Sequence, residues 1–288
     1  MFTRHLVAIG LALTVLPAAL VLAAGEWLTR PSPAHAPAVP SGLLAHSVTI
    51  AAPGGAVAGW LAPGQARQGA VLLLHGVRSS RLQMVERAKF LQAAGYTTLL
   101  IDLPAHGESA GDRITFGASE SAAVRAALEF LRASAPDERI AVVGVSLGAA
   151  SVVLGGAAGV PVAVVVESMF PTIREAVANR LEMRLGAPGR LLAGLLLWQL
   201  PLRTGVTEGE LEPIRRVADL AVPIAVASGT DDPHTTWSET LRLFQAAAPP
   251  KELWPFAGAT HEDLHRHSPS LYEQRLLSFL ARYVRQEA

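Results

Sequence analysis

The chain has 288 residues, half of them hydrophobic and only 17% charged, with 24 basic residues balancing 24 acidic ones. That supplies ample apolar material for a large core in one α/β unit of this length, and a net charge of zero gives no electrostatic case for nucleic acid or a strongly acidic partner. The lack of cysteine excludes a disulfide framework, a cysteine nucleophile and thiolate metal sites.

At the start of the chain, Arg4 and His5 precede an uncharged apolar run from Leu6 to Gly25, and Glu26 is the first acid. A run of about 20 residues matches a bilayer-spanning helix and exceeds the usual signal-peptide core. The expectation is a signal anchor or signal peptide over residues 1–28, with the membrane as a partner through this helix; a buried helix of a soluble protein is the minor alternative. Arg4 would keep the N-terminus cytoplasmic and place the bulk of the chain outside the cytoplasm, tethered or released by cleavage near Ala23. Residues 29–42 hold Pro31, Pro33, Pro37 and Pro40 and read as an extended linker.

The remaining domain spans residues 43–288. Ser47–Ala52 and Ala56–Ala62, joined across Pro53-Gly54-Gly55, predict an antiparallel hairpin. Short apolar runs at Ala70–Leu74, Thr97–Ile101, Ile140–Val143, Val162–Val166, Ile224–Ala227 and Glu252–Phe256 predict buried strands. Helical patterns lie between or after them at Leu82–Ala94, Ala118–Ala135, Leu147–Ala158, Thr235–Ala247 and Leu271–Arg285. This alternation predicts an α/β fold with a mainly parallel twisted sheet and helices on both faces. Between Phe170 and Pro223 the rhythm breaks into two helical stretches, Thr172–Leu185 and Gly189–Leu200. They predict a lid insertion at about 171–222, over the strand ends where open α/β sheets bind ligands. Its apolar run, Leu191 to Leu200, is too short to span a bilayer and reads first as packed lid or core, with an acyl-chain pocket or a membrane-surface contact as alternatives.

The segment Gly144-Val145-Ser146-Leu147-Gly148 sits where a buried strand turns into a helix. In that context Gly-x-Ser-x-Gly exposes a serine at the apex of a tight turn, beside the free N–H groups of a helix start. A serine hydroxyl needs a base, and the base needs an acid partner, here expected later in the chain as acid and then histidine. Asp231 and Asp232 follow the strand Ile224–Ala227, and His261 follows the last strand. All three groups lie past C-terminal strand ends, on one edge. Only one aspartate can serve, and the residues alone do not choose; the other is expected to cap the next helix. Oxyanion donors are expected at Leu147 N–H and, in the loop after an early strand, at Val77 N–H. His75 reads as a loop-organising residue.

These features together resemble the α/β-hydrolase superfamily: His75-Gly76, then Asp102-Leu103-Pro104-Ala105-His106-Gly107-Glu108-Ser109, the serine turn, Gly229-x-x-Asp232 and Gly258-x-x-His261. The resemblance runs from about Leu43 to the C-terminus. It implies a Ser146–Asp232–His261 triad, since the acid in such enzymes lies three residues past the glycine. It also implies no cofactor and no metal. Pro104-Ala105 stands where many relatives carry Arg-Gly, which bears on loop shape. Ala149 after the turn, where peptidase branches often have glycine, favours ester or thioester substrates over peptides or amides. The N-terminal run and short lid are similar to membrane-tethered members, implying a small-molecule or acyl-lipid ester substrate.

Two other readings compete. His261-Glu262-Asp263-Leu264-His265 is a literal His-Glu-x-x-His zinc signature, with His267 and Glu273 as further ligands. Gly258 just before it and Pro269 just after it argue against the long helix that motif requires. A non-catalytic binding protein of the same fold is the other, and a complete set of serine, acid and histidine would be superfluous there.

Overall fold

The computed structural model describes residue 16 and residues 18–35, 38–156 and 159–286. Helix α1 covers residues 18–29 and leads into a short strand, β1 (Ser32–Pro33). The expected hairpin forms as β2 (His46–Ala52) and β3 (Gly55–Ala62). Then come β4 (Ala70–Leu74), α2 (Val85–Ala93), β5 (Thr97–Ile101) and the two-residue β6 (His106–Gly107). Helix α3 (Ala118–Ser134), β7 (Ile140–Val145), α4 (Leu147–Gly155) and β8 (Pro161–Glu167) complete the first half. The insertion carries α5 (Ile173–Leu185), α6 (Ala193–Leu197) and α7 (Leu200–Thr204). The chain ends with β9 (Ile224–Gly229), α8 (Trp237–Ala246), β10 (Lys251–Phe256), α9 (Leu264–His267) and α10 (Pro269–Tyr283).

Eight strands form one sheet in the order β10-β9-β8-β7-β4-β5-β3-β2. The β2–β3 and β3–β5 pairs are antiparallel and the other neighbours parallel. Side chains alternate across a strand, so Leu72, Leu74, Val142, Val164 and Val226 enter one apolar cluster. Their neighbours Val71, Leu73, Val143, Val165 and Ala225 enter a second cluster on the opposite face. Covering both faces is what makes the central strands continuously apolar, as the parallel arrangement requires.

Within the insertion, the single helix expected at Gly189–Leu200 is broken. Residues Ala187–Leu192 form a 3-10 turn with Pro188 in second position, and α7 starts afresh with Pro201 in its first turn. Proline at a helix start forfeits no hydrogen bond, whereas inside a continuous helix it would. The apolar run is only partly packed: Ala193, Leu197 and Leu200 are buried, while Leu191, Leu195, Trp198 and Leu202 are exposed.

The membrane expectation is corrected. Among the described residues no helix is long and apolar enough to cross a membrane. Where it is described, the run does something else. Gly25 and Thr29 are buried, and a Cβ at Gly25 would sit 2.5 Å from Gln199 Oε1. Gln199 Nε2 donates to the Val21 carbonyl (2.9 Å), and Arg203 Nη2 donates to that of Leu22 (2.7 Å). Glu26 pairs with both Arg113 and Arg203. A helix with an acid in two ion pairs and its backbone gripped by lid side chains is a packed element of the domain, so neither the anchor, the membrane partner nor the tethered location follows from it. Residues 1–15 and 17 of the expected anchor, including Arg4, lie outside the described residues.

Candidate active site

Strand β7 delivers Ser146 into a backbone conformation of φ 48° and ψ −103°. The flanking glycines are required by close approach. A Cβ at Gly144 would lie 2.6 Å from the Ala149 nitrogen, and one at Gly148 would lie 2.7 Å from both Leu74 Cβ and the Leu74 carbonyl oxygen. The turn is held by Ser146 N–H donating to Glu167 O (2.8 Å) and Ala150 N–H donating to Ser146 O (2.9 Å). A non-glycine residue in this region of φ is strained and persists only when its surroundings fix it.

The adjacent loop after β4 presses against the serine: a Cβ at Gly76 would be 3.8 Å from Ser146 Cβ. Gly76 N–H is taken by Gln83 Oε1 (2.8 Å), and Ser79 N–H closes a turn onto Gly76 O (3.3 Å). Val77 lies inside that turn and Leu147 opens α4. His75 organises this loop as expected. It is fully buried, its Nε2 accepts from Leu103 N–H (3.0 Å), and its Nδ1 therefore carries the proton given to Gly76 O (2.7 Å). Burial, assisted by the neighbouring His106 ring, pushes its pKa down to about 3.

Beyond β9 and β10 the structure brings Asp232 and His261 together, with His261 Nδ1 2.7 Å from Asp232 Oδ2. The other carboxylate oxygen accepts from His234 N–H (2.8 Å) and Thr235 N–H (3.0 Å). Burial alone would raise the Asp232 pKa, but the His261 contact and the two backbone donors outweigh it and hold the carboxyl below its ordinary value. Asp231 is exposed, and its carboxylate accepts from the neighbouring Thr230 Oγ1 (2.9 Å). The cap expected of the spare aspartate falls instead to Thr236, whose side chain accepts from Glu239 N–H. Thr235 Oγ1 reaches Ser168 O (3.3 Å), just past the β8 end that holds the Ser146 turn.

The His-Glu-x-x-His segment does not lie on one helix: α9 begins only at Leu264. His261 faces Asp232, while His265 Nε2 pairs with Glu273 (2.8 Å) and His267 Nδ1 with Glu262 (3.2 Å). Among the described residues no group of three or more potential ligands comes together to hold a metal ion.

Several residues here carry no sequence signal beyond adjacency. His234 stacks on His261, with ring centroids 4.4 Å apart at 32°. Burial, then the Arg180 and His261 charges, lower its pKa to about 4, so it is neutral near pH 7. Asn179 of the lid holds the His234 carbonyl (3.2 Å). Beneath the site, buried Arg87 joins Glu167 (2.7 Å) to Asp263 (2.7 Å) and bonds Tyr272 Oη (2.9 Å). It thus links the strand beside Ser146 to the loop of His261.

Sheet order, the strand–serine–helix turn and the loops at the carboxyl edge define an α/β-hydrolase fold. A model of the alpha/beta hydrolase family matches residues 71–275. An uncharacterized protein of Mycobacterium tuberculosis is 30% identical over 222 residues, covering 76% of this chain and 70% of that protein. The uncharacterized Bacillus subtilis protein YqkD is 22% identical over 214 residues, 73% of this chain and 70% of its own length. Among solved structures, the Pyrococcus furiosus esterase Pf2001 superposes with a TM-score of 0.73 at 21% identity, covering 89% of this chain and 98% of that one. The hydrolase GrgF from Penicillium sp. sh18 gives 0.67 at 19% identity, covering 84% and 99%. The chain belongs to the alpha/beta hydrolase family.

Proposed function

We propose that the protein is a serine hydrolase acting on carboxylic ester or thioester bonds of small molecules or acyl lipids. The observation that carries this reading is the 2.7 Å Asp232–His261 pair, on the same sheet edge as the strained Ser146 turn. Because Asp232 occupies Nδ1, the proton of Ser146 Oγ goes to His261 Nε2 as the oxygen attacks the substrate carbonyl. Asp232 stabilises the resulting imidazolium. The oxyanion is received by Val77 and Leu147 N–H, two donors that need no reorganisation during reaction. His261 then protonates the leaving group, and water repeats the attack on the acyl-enzyme.

Labelling by a fluorophosphonate, compared between the wild type and Ser146→Ala, tests the reading. Labelling and p-nitrophenyl ester hydrolysis are expected in the wild type and lost in the variant. Labelling that survives the substitution, or a wild type inert to both reagents, defeats it.

A further inference from the structure

The turn Gly76–Ser79 has a weak point. Arg78 sits at φ 57°, the left-handed region that a residue with a Cβ occupies at a cost. Such a residue is retained only where its surroundings over-determine it. One side of the turn is fixed from within the core, through Gly76 N–H on Gln83. The other side is fixed from α1: the Arg78 guanidinium stacks over the Trp27 ring (4.2 Å) and donates to the Trp27 carbonyl.

Trp27 is itself held on a rail. Downstream of it, Thr29 O accepts from Ile114 N–H (2.8 Å), Ser32 N–H donates to Ala105 O (2.7 Å) and Ala34 N–H donates to Gly107 O (3.0 Å). Upstream, Gln199 and Arg203 of the lid grip the α1 backbone. Residues 18–35 therefore run across the carboxyl edge of the sheet, tied to the lid at one end and to the β5–β6 loop at the other, with Trp27 between them.

We propose that Arg78, clamped by Trp27, is a positioning residue that keeps the Gly76–Ser79 turn left-handed and the Val77 N–H directed at the oxyanion. The inference rests on the serine-hydrolase reading above. It makes residues 18–35 part of the catalytic unit. Arg78 acts through the backbone and touches no substrate.

The test uses the full chain and compares Arg78→Ala with Arg78→Gly. Both remove the clamp and the charge, but only glycine adopts the left-handed turn without help. Arg78→Ala is expected to lower kcat for p-nitrophenyl butyrate, and the rate of fluorophosphonate labelling, by about 10- to 100-fold, with KM changed less than about 3-fold. Arg78→Gly should stay within about 3-fold of wild type in kcat. Trp27→Ala should lower kcat about 5-fold in the Arg78 background and have no further effect on Arg78→Gly, a coupling that general destabilisation would not produce. Thermal midpoints confirm folding, and Trp27→Ala carries the test should Arg78→Ala fail to fold. Equal losses in the alanine and glycine variants, no loss in Arg78→Ala, or a Trp27 effect that persists in Arg78→Gly overturns the inference. A wild type that neither labels nor hydrolyses overturns the serine reading, and this inference with it.

Discussion

Acid is expected to destabilise this fold through His75 in a window that opens above the usual carboxylate range. The imidazole is fully buried, bridges Leu103 N–H and Gly76 O, and stays neutral until its pKa of about 3, against 6.5 for the free side chain. The unfolded chain binds the extra proton, so the stabilisation is complete above pH 6.5 and drains away as the pH falls towards 3. Each pH unit in that window removes up to about 1.4 kcal/mol for one proton, so going from 6.5 to 4.5 costs about 2.5 kcal/mol at this site. His234 adds in the same direction. Comparison with His75→Gln isolates the contribution, because the variant has no imidazole to protonate. At pH 7 the variant should be less stable by about 1–3 kcal/mol, having weakened the hydrogen bonding of two backbone groups. Urea unfolding at pH 7, 6, 5 and 4.5 should show the two stabilities converging as the pH falls. A gap that is the same at pH 7 and pH 4.5 would refute the reasoning.

Gly148→Ala places a Cβ 2.7 Å from Leu74 and 2.9 Å from the His75 carbonyl oxygen, so the serine turn must shift against the loop carrying Val77. Overpacking of this kind should cost about 1–3 kcal/mol in urea unfolding and lower kcat with it. Asp232→Asn should reduce kcat by roughly 10³- to 10⁴-fold, whereas Asp231→Asn, at an exposed carboxylate, should leave ester hydrolysis within about 2-fold. His234→Ala removes the ring stacked on His261 and should lower kcat by roughly 2- to 10-fold, the equivalent of one aromatic pair, while His234→Phe restores most of it. Equal kcat for the alanine and phenylalanine variants would count against a stacking role.

Much of the architecture was legible because parallel sheets leave a strong imprint. Runs such as Ala70–Leu74 and Ile140–Val143 are apolar at every position, since both faces are covered. The positions of Ser146, Asp232 and His261 just past strand ends could be read for the same reason. The family spacing favoured Asp232 over Asp231, and it is Asp232 whose carboxylate meets His261. What could not be read depends on tertiary context. An apolar helix packed on a lid and one crossing a bilayer have similar composition, so for the described part of the run, residues 18–25, the difference lies in contacts such as Gln199 to Val21 O, distant in sequence. The cap of α8 falls to Thr236 because the spare aspartate, Asp231, lies five residues before the N-cap position, with its carboxylate turned to Thr230. The stacking of His234 on His261 likewise follows from two loops meeting, and no local pattern encodes that.

The buried Arg87 cluster has a consequence for how this sequence can drift. One guanidinium serves two carboxylates, Glu167 and Asp263, and the phenol of Tyr272 also bonds Glu167. Removing Arg87 alone strands Glu167 as an uncompensated charge in the interior, a loss of about 3–5 kcal/mol, and removing Glu167 alone leaves Arg87 with Asp263 as its remaining carboxylate. Replacing both with apolar residues removes the two charges but leaves the buried Tyr272 phenol without either hydrogen-bond partner and Asp263 without its arginine, so the double change also carries a cost. The mutational landscape around this cluster is therefore one tolerated state bounded by steep single-step losses. Leaving it takes coordinated change at Arg87, Glu167 and Tyr272, and Asp263, held by the same arginine, ties the His261 loop to that constraint.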